Sequence, residues 1–148
     1  MPSIRRSALL PYTAQQVYDL VNDVEAYPQY MEGCVGARIL AHSEGRMEAR
    51  LDLSRGGISQ SFTTLNRLRA NEAIELTLRE GPFDRFAGHW RFQSLGESAC
   101  KVSLELDFSV RNGLVGMAAG RLFERVTNNL VDAVARRAQH LYGAGQTA

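Results

Sequence analysis

CKVSLELDFSV, residues 100–110, alternates without a break. Cys100, Val102, Leu104, Leu106, Phe108 and Val110 share one parity, and Lys101, Ser103, Glu105, Asp107 and Ser109 share the other. Successive side chains on a strand point to opposite faces, so this is a strand with one dry face and one wet face, the pattern of antiparallel pairing. The same period recurs upstream. In RMEARLDLS, Met47, Ala49, Leu51 and Leu53 oppose Arg46, Glu48, Arg50 and Asp52. Ile74, Leu76 and Leu78 form a third set, and Phe86, Trp90 and Phe92 a fourth. Gly56-Gly57, Asn71-Glu72 and Gly96-Glu97 stand where hairpin turns belong. In ISQSFTTLNRL, residues 58–68, the parity of Ile58, Phe62 and Leu68 also holds Gln60, Thr64 and Asn66. Polar groups turned toward a dry face need partners from protein, water or a ligand.

Beyond residue 113 the period becomes helical. Val115, Ala119, Leu122, Val126, Leu130, Ala133, Val134, Ala138 and Leu141 trace one stripe between Leu114 and Tyr142. A single helix of about 29 residues would be roughly 43 Å long, enough to cross a sheet. Gly113, Gly116 and Gly120 loosen its start. Upstream, residues 4–10 read as a first strand ended by Pro11. Thr13 and Gln16 make a capping-box pair for a short helix whose apolar face is Ala14, Val17, Leu20 and Val21. Asn22 and Glu25 repeat that pattern for a second short helix, cut off at Pro28. Asp23 and Glu25 read as helix-start carboxylates and not as an acid–base pair. The order predicts an α+β helix-grip: one domain over residues 1–148, a curved antiparallel sheet of about seven strands around a long C-terminal helix, with two short helices after the first strand. Such a curl is expected to enclose an elongated apolar hollow between sheet and helix.

Composition narrows the function. The 148 residues are 45% apolar and 22% charged with a net charge of +1, so no bulk field points to nucleic acid or membrane. All but one of the basic residues are arginine, Lys101 being the exception. Genome composition explains such a bias; guanidinium forks also suit phosphates. Cys34 and Cys100 lack metal or disulfide-framework spacing. No signal peptide or membrane-length run is visible, which predicts a soluble, cytoplasmic protein with at most peripheral contact at the inner membrane. His42, His89 and His140 lie far apart, no nucleophile–base pair is evident, and GLVGMAAG lacks the G-K-[ST] of a phosphate loop. The chain is therefore expected to be non-catalytic, with no metal and no required cofactor.

The segment VYDLVNDVEAYPQYMEGCVGARI, residues 17–39, resembles the hallmark of the coenzyme Q-binding protein family. That family lies in the START-like, or polyketide cyclase-like, superfamily, and its bacterial members include the ribosome association toxin. The pattern L-V-x-D-V-x-x-Y-P-x-[FY]-x-x-x-C falls on Leu20, Val21, Asp23, Val24, Tyr27, Pro28, Tyr30 and Cys34, while Glu32 stands where the family commonly has proline. GISQSFTTLNRL, EGPFDRFAGHWRF and CKVSLELDFSV extend the likeness over nearly the whole chain. The resemblance implies a helix-grip that holds ubiquinone or a related isoprenoid lipid, supporting respiratory electron transport or quinone biosynthesis. Its alternative is a toxin-like regulator that contacts the large ribosomal subunit and blocks subunit association. A cyclase or dehydratase is the third reading, and DNA is not an expected partner.

The parities then name candidate residues. Met47, Leu51, Phe62, Leu76, Trp90 and Leu104 from the strands, with Leu122, Val126 and Leu130 from the helix, are expected to line the hollow. Tyr27, Pro28, Tyr30 and Met31 are expected at its rim, facing Gly113 to Gly120; ordinary core packing explains the same residue types equally well. Arg121, Arg125, Arg136 and Arg137 read most simply as a solvated helix face. Their alternative is contact with anionic lipid or ribosomal RNA, joined by Arg5 and Arg6 if the first strand lies beside the helix.

Overall fold

The computed structural model describes residues 3–110 and 113–143. Seven strands form one sheet: β1 Ser3–Leu10, β2 Cys34–Ser43, β3 Arg46–Arg55, β4 Ile58–Arg69, β5 Ala73–Glu80, β6 Phe83–Ser94 and β7 Cys100–Val110. Their order is β1-β7-β6-β5-β4-β3-β2, and every pairing is antiparallel. From β2 to β7 the chain is a run of hairpins, and β1 adds to β7 at the edge opposite β2. Gly56 and Gly57, both with positive φ (59° and 81°), make the two-residue turn that matches the right-handed twist of β3 and β4. The alternation read from sequence holds: Cys100, Val102, Leu104, Leu106 and Phe108 of β7 are buried, and Lys101 and Asp107 are exposed.

The helix α1, Ala14–Asn22, starts with the expected capping box. The Gln16 amide donates to Thr13 Oγ1 at 3.0 Å, and the Thr13 amide donates to Gln16 Oε1 at 2.9 Å, satisfying two of the donors a helix start leaves open. The second short helix is a 3₁₀ turn, Val24–Gln29, with Pro28 inside it. Its carboxylates do not cap. Asp23 makes no side-chain cap bond, and Glu25 instead accepts from the Ile39 amide at 3.2 Å, tying the turn to β2.

The C-terminal helix expected as one run is interrupted. It divides into α2, Leu114–Asn128, and α3, Leu130–Tyr142, which meet at Asn129. The cause is local competition for backbone groups. Thr127 Oγ1 donates to the Phe123 carbonyl at 2.8 Å, Asn129 Nδ2 donates to the Arg125 carbonyl at 3.1 Å, and the Asn129 amide reaches back only three residues to Val126. Side chains that enter the helical ladder in this way bend it. The start of α2 is not a loose lip either. A Cβ on Gly120 would lie 2.5 Å from Val110 Cγ1, so glycine here lets α2 settle against the end of β7. The far end of α3 is fastened to α1, where the Tyr142 hydroxyl donates to the Gln16 carbonyl at 3.1 Å.

Candidate functional site

Where α2 and α3 cross the concave face of the sheet, a hollow of about 60 Å³ remains. Five aromatic rings occupy most of the space beside it. Phe123 on α2 stands 5.3 Å from Phe62, 5.0 Å from Phe83, 5.6 Å from Phe86 and 4.9 Å from Phe108, all centroid to centroid and nearly edge to face. That geometry is the favourable one for aromatic quadrupoles, so the cluster resists dilation. Three polar side chains interrupt the hydrocarbon wall: Thr64 and Asn66 on β4, and Thr127 on α2, all buried. The Thr64 hydroxyl donates to Asn66 Oδ1 at 2.7 Å. Register places Asn66 between Met47 of β3 and Leu76 of β5, in the middle of the dry face.

Of the nine lining residues expected from sequence, the structure brings six to the hollow: Leu51, Phe62, Leu76, Trp90, Leu104 and Leu130. Met47, Leu122 and Val126 are buried but stand away from it. Phe123 and Thr127 take the places expected of Leu122 and Val126; each helical residue turns 100°, so a one-residue rotation of the stripe exchanges them. Val24 of the 3₁₀ turn and Phe86 of β6 also border the hollow and had not been expected there. Its size is a correction too. An elongated cavity was expected, whereas small-molecule sites typically measure 300–1,000 Å³, so this one is closed to a drug-sized ligand in the present conformation.

The rim expectation also changes. Tyr27 is not at a lip: it lines the hollow from below, 7% exposed, with its hydroxyl donating to the Val21 carbonyl. Met31 is core at 4% exposed, and Pro28 is on the surface away from the hollow. Tyr30 is half-buried and faces α3, not the start of α2: the Arg137 guanidinium lies 5.2 Å over its ring and donates to Gln29 Oε1 at 3.2 Å. The wall is least covered at Leu51, Leu76 and Phe86, which are half-buried while the rest of the lining is buried.

On the opposite face of α2 lies an open groove of about 440 Å³, bounded by Arg55 and Ile58 of the β3–β4 hairpin and by Arg121, Leu122, Glu124, Arg125 and Asn128 of α2. Arg6 of β1 stands beside it, donating to Asn128 Oδ1 at 2.8 Å. Arg121 and Arg125 thus share a recess with Arg55, while Arg137 is engaged by the 3₁₀ turn, and Arg136 is exposed on α3 outside the groove. Arg5 is exposed on β1 and is not among the groove's walls.

Residues 10–135 match the family described as polyketide cyclase / dehydrase and lipid transport. The chain belongs to that family. Ribosome association toxin RatA of Escherichia coli (strain K12) is 46% identical over 144 residues, spanning 97% of this chain and 91% of RatA. Coenzyme Q-binding protein COQ10, mitochondrial, of Dictyostelium discoideum is 22% identical over 142 residues, spanning 93% of this chain and 69% of COQ10. Among solved structures, the Zhui aromatase/cyclase from Streptomyces sp. R1128 superposes with a TM-score of 0.81 at 20% identity, covering 97% of this chain and 98% of the cyclase, which is a likeness of fold.

In a family whose description joins cyclases with lipid transport, the chemistry of the hollow matters. Among the described residues Tyr27 is the one titratable group on its wall, and burial raises its hydroxyl well above the ordinary tyrosine range, keeping it a neutral donor. His89 is on the outer face of the sheet, 3.1 Å from Glu105, and Asp84 is exposed. Neither reaches the hollow. Among the described residues no helix is long and apolar enough to cross a membrane.

Proposed function

We propose that this protein associates with the large ribosomal subunit and hinders joining of the subunits, acting in the cytoplasm by binding and not by catalysis. The observation that carries the reading is the 46% identity to RatA, which runs over 97% of this chain and 91% of the relative. The open arginine groove supports it, since it offers a recess for an anionic partner on a chain with almost no net charge. The test is sedimentation of purified protein with separated subunits. The protein should travel with the large subunit and lower the fraction of joined ribosomes; protein that remains at the top of the gradient at low salt refutes the reading.

The hollow favours a second reading, the binding of an isoprenoid quinone or related lipid. Its wall is apolar except for Thr64, Asn66, Thr127 and the Tyr27 hydroxyl; the three hydroxyls donate within the protein, which leaves the Asn66 side-chain NH2 to meet the carbonyl end of a hydrocarbon body. At about 60 Å³ the hollow must expand at Leu51, Leu76 and Phe86 to admit one, which ranks this reading below the first. Solvent extraction and mass spectrometry of the purified protein decide it: a stoichiometric lipid supports the reading, and an empty extract with no binding of added ubiquinone removes it.

A further inference from the structure

We propose that the groove between the β3–β4 hairpin and α2 grips the phosphate backbone of an RNA strand. This deepens the ribosome-association reading, and rests on it for the choice of RNA. The walls carry guanidinium groups from two elements, Arg55 from β3 and Arg121 and Arg125 from α2, and Arg6 from β1 stands beside them at Asn128. Arg121 and Arg125 are one helical turn apart on one face, about 6 Å along the axis, so their forks point into the same recess. Among the described residues neither forms an ion pair. Elsewhere on the molecule arginines do pair, Arg50 with Asp52 at 3.0 Å and Arg79 with Glu48 at 3.0 Å.

Two carboxylates stand near the groove. Glu124 is on its wall, and Glu32 meets Arg55 at 3.5 Å with its own side chain 80% exposed. So wet and long an ion pair is weak, and a phosphate can displace it. Three guanidinium groups on the walls, with Arg6 beside them, against Glu124 and Glu32 leave a local excess of positive charge in a chain whose whole net charge is +1. Ile58 and Leu122 give the recess an apolar floor, on which a ribose or base edge can rest while the forks hold phosphate oxygens. Shape decides between anionic partners. A flat bilayer cannot follow a recess, whereas a polymer strand can.

The test measures binding of deproteinised large-subunit RNA across a salt series. It compares the wild-type protein with Arg121→Ala/Arg125→Ala and with a control, Arg46→Ala/Arg67→Ala, which removes the same charge from a directly opposed pair on the outer face of β3 and β4. Both variants should keep the wild-type melting temperature. The groove variant should bind RNA about tenfold more weakly at low salt and lose about two from the slope of log affinity against log salt, while the control changes little. Equal losses in the two variants, or none in the groove variant, overturn the proposal. So does a groove-dependent loss seen with phosphatidylserine vesicles and not with RNA. Sedimentation of the same proteins with intact large subunits keeps the two readings apart. Groove-dependent RNA binding without subunit binding leaves the groove standing and removes the ribosome reading; subunit binding indifferent to the groove does the reverse.

Discussion

The hollow and the groove flank the same helix and have been treated in opposite ways. On the sheet side of α2, Phe123 and Thr127 face about 60 Å³ of space beside five interlocked rings. On the solvent side, Arg121 and Arg125 face an open groove of about 440 Å³. The inner face is closed by the protein's own aromatics, so occupation requires rings to move. The outer face is open, with Arg121 and Arg125 in no ion pair among the described residues, and receives a partner by displacing only the exposed Arg55–Glu32 pair. The contrast shows how one scaffold can carry two surfaces of opposite character, so that the fold alone does not fix the partner.

The largest effect should come from breaking the inner face. Phe123→Ala removes the ring that contacts four others, and should destabilise the protein by about 3–5 kcal/mol in urea unfolding, as large-to-small changes in cores do. A loss below about 1 kcal/mol would mean that the cluster is loose already, and the contrast with the groove would collapse. A smaller change follows from Tyr27→Phe. The Val21 carbonyl, buried with its donor gone, should cost about 1–3 kcal/mol, with the urea slope unchanged.

Alkali should reach the same region more gently. Burial pushes the Cys34 thiol up to about 11 from an ordinary 9.0, and burial likewise raises Tyr27 and Tyr30. The folded state therefore holds these protons more tightly than the unfolded chain. The stability they contribute is whole below pH 9, and declines as pH rises from about 9 through 11, with the tyrosines extending the loss upward. Urea midpoints between pH 8 and pH 10.5 should fall, and Cys34→Ala should flatten the first part of the fall. A flat profile in the wild-type protein would place Cys34 in water.

These residues also show what could be read before the structure was known. Strand parity gave the dry face of β3 to β7 and flagged Thr64 and Asn66 as polar groups turned inward, because a period of two leaves little choice of face. Parity carries no depth. Met47 has the right parity and is buried, yet it lies away from the hollow. The helical stripe is broader than 100°, so it could not choose Phe123 over Leu122. Thr127 and Asn129 were a legible signal for the interruption between α2 and α3, since side chains of their type compete for backbone groups and both do so here. Tyr30 was placed by pairing with Arg137, 107 residues away, a tertiary contact that no local pattern encodes.

The smallest effect on stability should be the most informative for the hollow. Thr64 and Asn66 lie two apart on β4, with a 2.7 Å hydrogen bond between them, and both are buried. Asn66→Leu alone strands the Thr64 hydroxyl and should cost about 1–3 kcal/mol. Thr64→Val/Asn66→Leu replaces both partners by apolar groups of similar shape, and such paired replacement is nearly neutral or stabilising. The double variant should therefore unfold within about 1 kcal/mol of wild type, closer than the single variant does. If it does, folding does not require the polar pair, and its place on a dry wall is explained by something that enters the hollow and needs a hydrogen bond. Ubiquinone binding should then fall in the double variant while RNA binding at the groove is unchanged. If the double variant is instead the less stable of the two, the pair anchors β4 by a wider polar network, and the hollow is a packing defect and not a site.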